Sequence, residues 1–202
     1  MIFYSLQPLI LASASPRRRD LLESVGLTFE VMPSGADEVV LPNESHGQAA
    51  RRWSREKATA VSGRHPHSWV LAADTIVVLN NVIYGKPQSL AEAVSMLTRL
   101  GGKTHRVISG ICLMHQDLNI LMTDAVETSV QFKTLAQDEI MAYVGTGEPF
   151  DKAGAYGIQG MGAFLVRSIR GSYTNVVGLP LSEVLQWLLE HRVIAPVSGA
   201  RA

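Results

Sequence analysis

A carboxylate interrupts one of the most apolar runs in the chain: Asp74 in WVLAADTIVVL, residues 69–79. An ionised carboxylate is costly to bury unless it is paired or holds a metal. Asp74 therefore reads as a structural ion-paired group, as a metal ligand, or as a base that activates water. Thr75 follows it with a hydroxyl able to bond a ligand. A second cluster is SASPRRR, residues 13–19. A helix starting there presents free N–H groups and a positive dipole end, which suits a phosphate. Arg17, Arg18 and Arg19 in its first turn oppose the dipole, and a bound anion would reverse that penalty; the other reading is a solvated basic helix end. Lys57 shares an apolar helix face with Ala50, Trp53 and Val61, so it either snorkels to solvent or points into a site. Lys86 is held at a strand end by Gly85 and Pro87. Asp37 and Glu38 are adjacent loop carboxylates that could join Asp74 around a divalent cation, which takes a few carboxylates plus phosphate oxygens. Both Lys86 and the acidic pair also fit plain surface roles.

The stretch DKAGAYGIQGMG, residues 151–162, holds four glycines. Such density means tight turns or a ligand that the backbone must approach closely. Tyr156 offers a ring and Gln159 an amide that could read a base edge. Lys152 reaches a phosphate or pairs with Asp151. The whole inventory is that of a site for a polyphosphate and a divalent metal. It points to metal-assisted nucleotide chemistry without selecting the bond that is cut.

The elements that must hold these residues follow from periodicity and punctuation. A short strand over Leu9–Ala12 leads into a helix with Ser15 as N-cap and Pro16 at its first position, ended by Gly26. Thr28–Met32 reads as a strand, residues 33–45 as a loop, and His46–Val61 as a helix with Arg51, Arg52, Arg55 and Glu56 on its solvent faces. Trp69–Leu79 and Val82–Tyr84 form a hairpin across Asn80-Asn81. Leu90–Leu100 is an amphipathic helix ended by Gly101-Gly102. Two long strands, Arg106–His115 and Asn119–Lys133, precede a helix at Asp138–Val144. Ala163–Ile169 is a strand and Leu181–Glu190 a last helix. Helices alternate with strands while hairpins interrupt the alternation, so the expected fold is α/β with a mixed sheet. No linker divides residues 1–202, which read as one domain, and the tail after about residue 191 reads as loose.

Composition excludes several classes. Lys+Arg and Asp+Glu are both 18, a balance unlike that of a non-specific nucleic-acid binder. Cys112 is the single cysteine and reads as a buried small hydrophobe, so there is no intrachain disulfide and no thiolate metal cluster. The six histidines show no paired metal spacing. No apolar run approaches the roughly 18 residues of a membrane span, and the opening lacks the basic flank of a signal peptide. A cytoplasmic protein is expected.

SASPRR (13–18), REK (55–57), AADT (72–75), GKP (85–87) and DKAGAYGIQG (151–160) resemble, in order and spacing, the motifs of the Maf proteins. These are nucleoside triphosphate pyrophosphatases, once described as septum-formation inhibitors. The resemblance spans roughly residues 8–190. It implies an elongated mixed sheet with flanking helices and two lobes around a cleft, similar to inosine triphosphate pyrophosphatases. It implies hydrolysis of a nucleoside triphosphate to the monophosphate and pyrophosphate with Mg²⁺ or Mn²⁺, often by a homodimer. Carried onto the matching positions, it makes Asp74 the catalytic base and a metal ligand with Glu38. Ser13, Arg17, Lys57 and Lys86 become phosphate contacts, and Arg18, Thr75 and Gln159 base-selecting residues. The segment 151–160 is similar to that of the dTTP/UTP branch and differs from the cysteine- and serine-containing version of the 7-methyl-GTP branch. The rival readings are a non-enzymic nucleotide-binding regulator of division, an enzyme of the same reaction class acting on other nucleotides, and a nucleic-acid binder.

Overall fold

A computed structural model describes residues 2–36 and 38–197. Among these the strands are β1 (Phe3–Ser5), β2 (Leu9–Leu11), β3 (Glu30–Val31), β4 (Trp69–Leu79), β5 (Val82–Tyr84), β6 (Thr104–His115), β7 (Ile120–Phe132), β8 (Val166–Arg170) and β9 (Ile194–Pro196). The helices are α1 (Pro16–Ser24), α2 (His46–Ser62), α3 (Leu90–Leu100), α4 (Gln137–Gly145), α5 (Tyr173–Val177) and α6 (Leu181–Glu190). The main sheet runs β3-β2-β4-β6-β7-β8, with β5 added to β4. It is mixed: β2 is parallel to β3 and β4, whereas β5 on β4 and β8 on β7 are antiparallel. The hairpin between β4 and β5 turns on Asn80 and Asn81, both at positive φ (50° and 66°), the conformation that a two-residue hairpin loop requires and that Asn tolerates.

The chain divides into two compact units. The first holds the residues up to Asp74, Ser109–Val126 and the residues from Gly178; the second holds Thr75–Ile108 and Glu127–Val177. Three of the boundaries fall inside β4, β6 and β7, so no linker composition marks them and the sequence shows none.

In the first unit, strand alternation sorts the core into two faces. Leu9, Leu11, Leu71 and Ala73 pack with Leu22 of α1 and with Val184 and Leu188 of α6. Ile10, Ala12, Val70, Ala72 and Cys112 pack with Ala58 and Val61 of α2. Asp74 continues the second series along β4, so strand parity aims it at the face that α2 covers. Burial pushes the Cys112 thiol up to about 12, which leaves it a hydrophobe. The second unit has its own core, from Val77 and Val107 to Phe132, Tyr143 and Tyr156.

Several expectations need correction. The tail after 191 is not loose as far as it is described: β9 pairs antiparallel with β1, Tyr4 opposite Ala195. Its Pro and Gly content concealed two buried residues, Val193 and Ile194; residues 198–202 lie outside the described residues. The strand expected over Thr28–Met32 shortens to Glu30–Val31, and that over Ala163–Ile169 starts at Val166, after a 3₁₀ turn over Gly160–Leu165. Helix α5 was not anticipated. In the described residues no helix is long and apolar enough to cross a membrane.

Candidate active site

The turn after β2 places the first group of polar side chains. Ser13 is 6% exposed, and its Oγ accepts the Ser15 N–H (3.3 Å) and Arg18 Nη1 (2.9 Å). Arg18 also donates from Nε to the Gly178 carbonyl (2.8 Å). Pro16 occupies the first helical position and Ser15 has the extended backbone of an N-cap, but its hydroxyl makes no capping bond. Ser13, two residues upstream, gathers the donors instead. Burial lowers the Arg18 pKa, with Asp74 and Glu38 opposing as nearby anions and Arg17 adding to the fall; the guanidinium stays charged regardless. Arg17 is half-buried. Arg19 turns outward to Asp20 and Glu23 and leaves the group.

Lys57 resolves its two readings by pointing inward. Its ammonium bonds Asp74 Oδ1 closely and Glu38 Oε1 at 2.7 Å. Asp74 is 3% exposed, and its second oxygen, Oδ2, is buried with no hydrogen-bond partner. Burial raises the Asp74 pKa, and Glu38 raises it too, whereas Lys57 and Arg18 pull it down. A charged carboxylate with one arm neutralised and the other bare can take a proton from water or a bond from a cation.

Glu38 is delivered by its loop. The Val39 carbonyl accepts Arg52 Nη2 (2.6 Å) and Trp53 Nε1 (3.0 Å). Arg52 further holds Glu44 with Nε (2.9 Å) and Nη2 (2.8 Å), and Glu56 with Nη1 (3.0 Å). The expectation that Arg52 serves only solvent is thus wrong: it ties loop 38–44 to α2. Asp37 lies outside the described residues. No group of three His, Cys, Asp or Glu side chains converges among the described residues. The donor set is Glu38 and the bare oxygen of Asp74. Two carboxylates suit Mg²⁺ or Mn²⁺ when substrate phosphates complete the shell, so the residues fit such an ion.

Thr75, Lys86 and Gln159 belong to the second unit. Thr75 is half-buried, and strand alternation puts it on the opposite face of β4 from Asp74. Lys86 and Gln159 are exposed. Tyr156 cannot offer its ring to a base. It is 5% exposed, bonds His105 Nε2 through its hydroxyl at 2.7 Å, and packs edge-on against Phe132. Burial holds His105 down at about 4, so this pair is a neutral core contact. Lys152 pairs with Asp151 (2.7 Å) and with the Glu148 carbonyl (2.6 Å), the contact that its structural reading expects. Sequence reasoning passed over Glu148, whose carboxylate gathers Tyr143, Met161 and Gly162. An acid beside Pro149, shortly before a glycine-rich stretch, was the available signal.

The family model described as "Maf-like protein" matches residues 8–191. A dTTP/UTP pyrophosphatase of Desulfotalea psychrophila is 50% identical over 189 residues, covering 94% of this chain and 97% of that one. The dTTP/UTP pyrophosphatase of Syntrophus aciditrophicus is 48% identical over 182 residues (90% and 89%), and that of Halalkalibacterium halodurans 47% over 186 residues (92% and 97%). Among solved structures, a HAM1 protein from Coxiella burnetii aligns with 92% of this chain and all of that one, at 15% identity and a TM-score of 0.49.

Proposed function

Since this chain belongs to the Maf family, we propose that it is a pyrophosphatase that hydrolyses dTTP and UTP to the monophosphate and pyrophosphate. One observation carries the chemistry: the buried, unpartnered Oδ2 of Asp74 beside a lysine that holds its other oxygen. The names of the relatives support the substrate. Asp74 takes a proton from a water through Oδ2 while Lys57 holds Oδ1 still. That water attacks the α-phosphorus and pyrophosphate leaves. Ser13, Arg17, Lys57 and Lys86 bind the phosphates, and their positive charge offsets the charge that grows on the phosphoryl oxygens. Arg18, Thr75 and Gln159 select the base. Glu38, with Asp74, would hold a divalent ion, Mg²⁺ or Mn²⁺, which would further neutralise phosphate charge; with Oδ1 held by Lys57, an Asp74 Oδ2 that binds the ion does not take the proton in the same step. The reading includes a cytoplasmic homodimer with no nucleic-acid partner.

The test is a panel of the common nucleoside triphosphates and 7-methyl-GTP with Mg²⁺, assaying pyrophosphate and orthophosphate separately, for the wild type and Asp74→Asn. Pyrophosphate released mainly from dTTP and UTP, and lost by at least about a hundredfold in Asp74→Asn, is expected. Binding without release from any nucleotide would replace this reading with the non-enzymic regulator. Release chiefly from another nucleotide would keep the reaction and refute the substrate.

A further inference from the structure

Gln159 stands exposed on the glycine-rich stretch, and no side-chain hydrogen bond holds it among the described residues. Its place is therefore set by the backbone on either side. Two residues before it, the Gly157 N–H donates to Tyr143 Oη (3.3 Å). Two and three residues after it, the Met161 N–H donates to Glu148 Oε2 (2.9 Å) and the Gly162 N–H to Glu148 Oε1 (3.0 Å). The two anchors are joined, because Tyr143 Oη donates to Glu148 Oε1 at 2.9 Å. Tyr143 is buried on α4, a rigid element, so the clamp is referred to the core. Gly160 has φ +68°, and a Cβ there would lie 2.9 Å from Glu148 Oε2. The backbone next to Gln159 thus curls directly over this carboxylate. Burial resists the charge on Glu148, yet the bonds from Met161, Gly162 and Tyr143 outweigh it and hold the carboxyl below its usual range.

We infer that Glu148 is a positioning residue that fixes Gln159 and thereby the enzyme's choice of nucleobase, an inference that rests on the base-reading role proposed above for Gln159. A carboxylate suits the task because it accepts with both oxygens at once. In Glu148→Gln one arm becomes an NH₂ group facing a backbone N–H, and one anchor is lost. Tyr143→Phe removes the hydroxyl that joins the two anchors while keeping the ring in the core.

The experiment is a double-mutant cycle read as selectivity. The ratio of kcat/KM for dTTP to that for dATP is measured in the wild type, Gln159→Ala, Glu148→Gln, Tyr143→Phe and Glu148→Gln/Gln159→Ala. Amide hydrogen exchange at Met161 and Gly162 is followed in parallel. Glu148→Gln and Tyr143→Phe should each lower the ratio about tenfold, through loss of a bond that holds the segment. The rate on dATP should stay within about twofold, and the double variant should be no less selective than Gln159→Ala alone. Exchange at Met161 and Gly162 should quicken in Glu148→Gln. If Gln159→Ala leaves the ratio unchanged, the base-reading role fails and this inference with it. If Gln159→Ala lowers the ratio but Glu148→Gln does not, or lowers every nucleotide equally, Glu148 is a fold residue and the inference alone is overturned.

Discussion

Asp74 keeps its carboxylate where burial resists a charge. Burial raises its pKa and Glu38 adds to the rise, while Lys57 and Arg18 oppose it. A carboxyl raised in the native state binds protons that the unfolded chain has already released. Its contribution to stability therefore falls as pH rises from the ordinary aspartate range through the raised native value. The neighbours have opposite signs, so their removal separates them. In metal-free protein, the Asp74 side-chain carbon followed by NMR should titrate above an ordinary aspartate. The midpoint should move further up in Lys57→Met and down in Glu38→Gln. A midpoint that moves the same way in both variants would contradict this account of the pair. Asp74 and Lys57 were legible in the sequence because each breaks an apolar pattern: one a strand, the other a helix face. The role of Tyr156 was not. Its glycine neighbours suggested a ring offered to a base, and only the fold brings His105 and Phe132 around it.

Helix α2 carries Lys57, Arg52 and Trp53, so its seating decides where the lysine ends and how loop 38–44 is tied. It starts from a reciprocal cap, Ser45 with Gln48, and rests on β6 at Gly110. A Cβ on Gly110 would stand 2.0 Å from the Ala50 carbonyl oxygen and 2.5 Å from the Arg51 nitrogen. Both are backbone atoms that no rotamer change can move aside, so helix and strand must part. Gly110→Ala should therefore destabilise by about 3 kcal/mol or more, at the top of the range for overpacking, with catalytic loss in whatever folds. Urea unfolding would measure it, and a loss under about 1 kcal/mol would show that α2 shifts freely on the sheet. The sequence located α2 and β6 within about two residues, from 3.6-residue spacing and from a long apolar run. It did not show their contact. A glycine inside a strand marks a close approach, but not which element makes it. Shorter elements were less legible for a similar reason. The two-residue β3 exists only because β2 lies beside it, with Ile10 opposite Glu30 and Leu11 opposite Val31.

The first unit is assembled from three separated stretches of chain, and its site draws on distant ones. Arg18 bonds the carbonyl of Gly178, 160 residues away. The chain's beginning and its last described strand meet as β1 and β9. Local periodicity cannot show such pairings, because a three-residue strand has no pattern of its own; this is why the tail read as loose. The pairing is nonetheless backed by core, since Val193 and Ile194 are 0% and 2% exposed and pack with Leu188 and Trp69. No site residue belongs to β1 or β9. Fold and site can therefore be separated by one substitution at this end of the chain. Ile194→Ala removes a fully buried side chain and should cost about 2–5 kcal/mol, read as a lower urea midpoint. Pyrophosphate release per folded molecule, and the preference among nucleotides, should stay as in the wild type. Asp74→Asn should do the reverse, losing turnover without a comparable loss of midpoint. If Ile194→Ala instead lowers turnover in the folded fraction, the last strand acts on the position of Arg18 through Gly178, and the division between the residues that hold the fold and those that act on substrate would have to be redrawn.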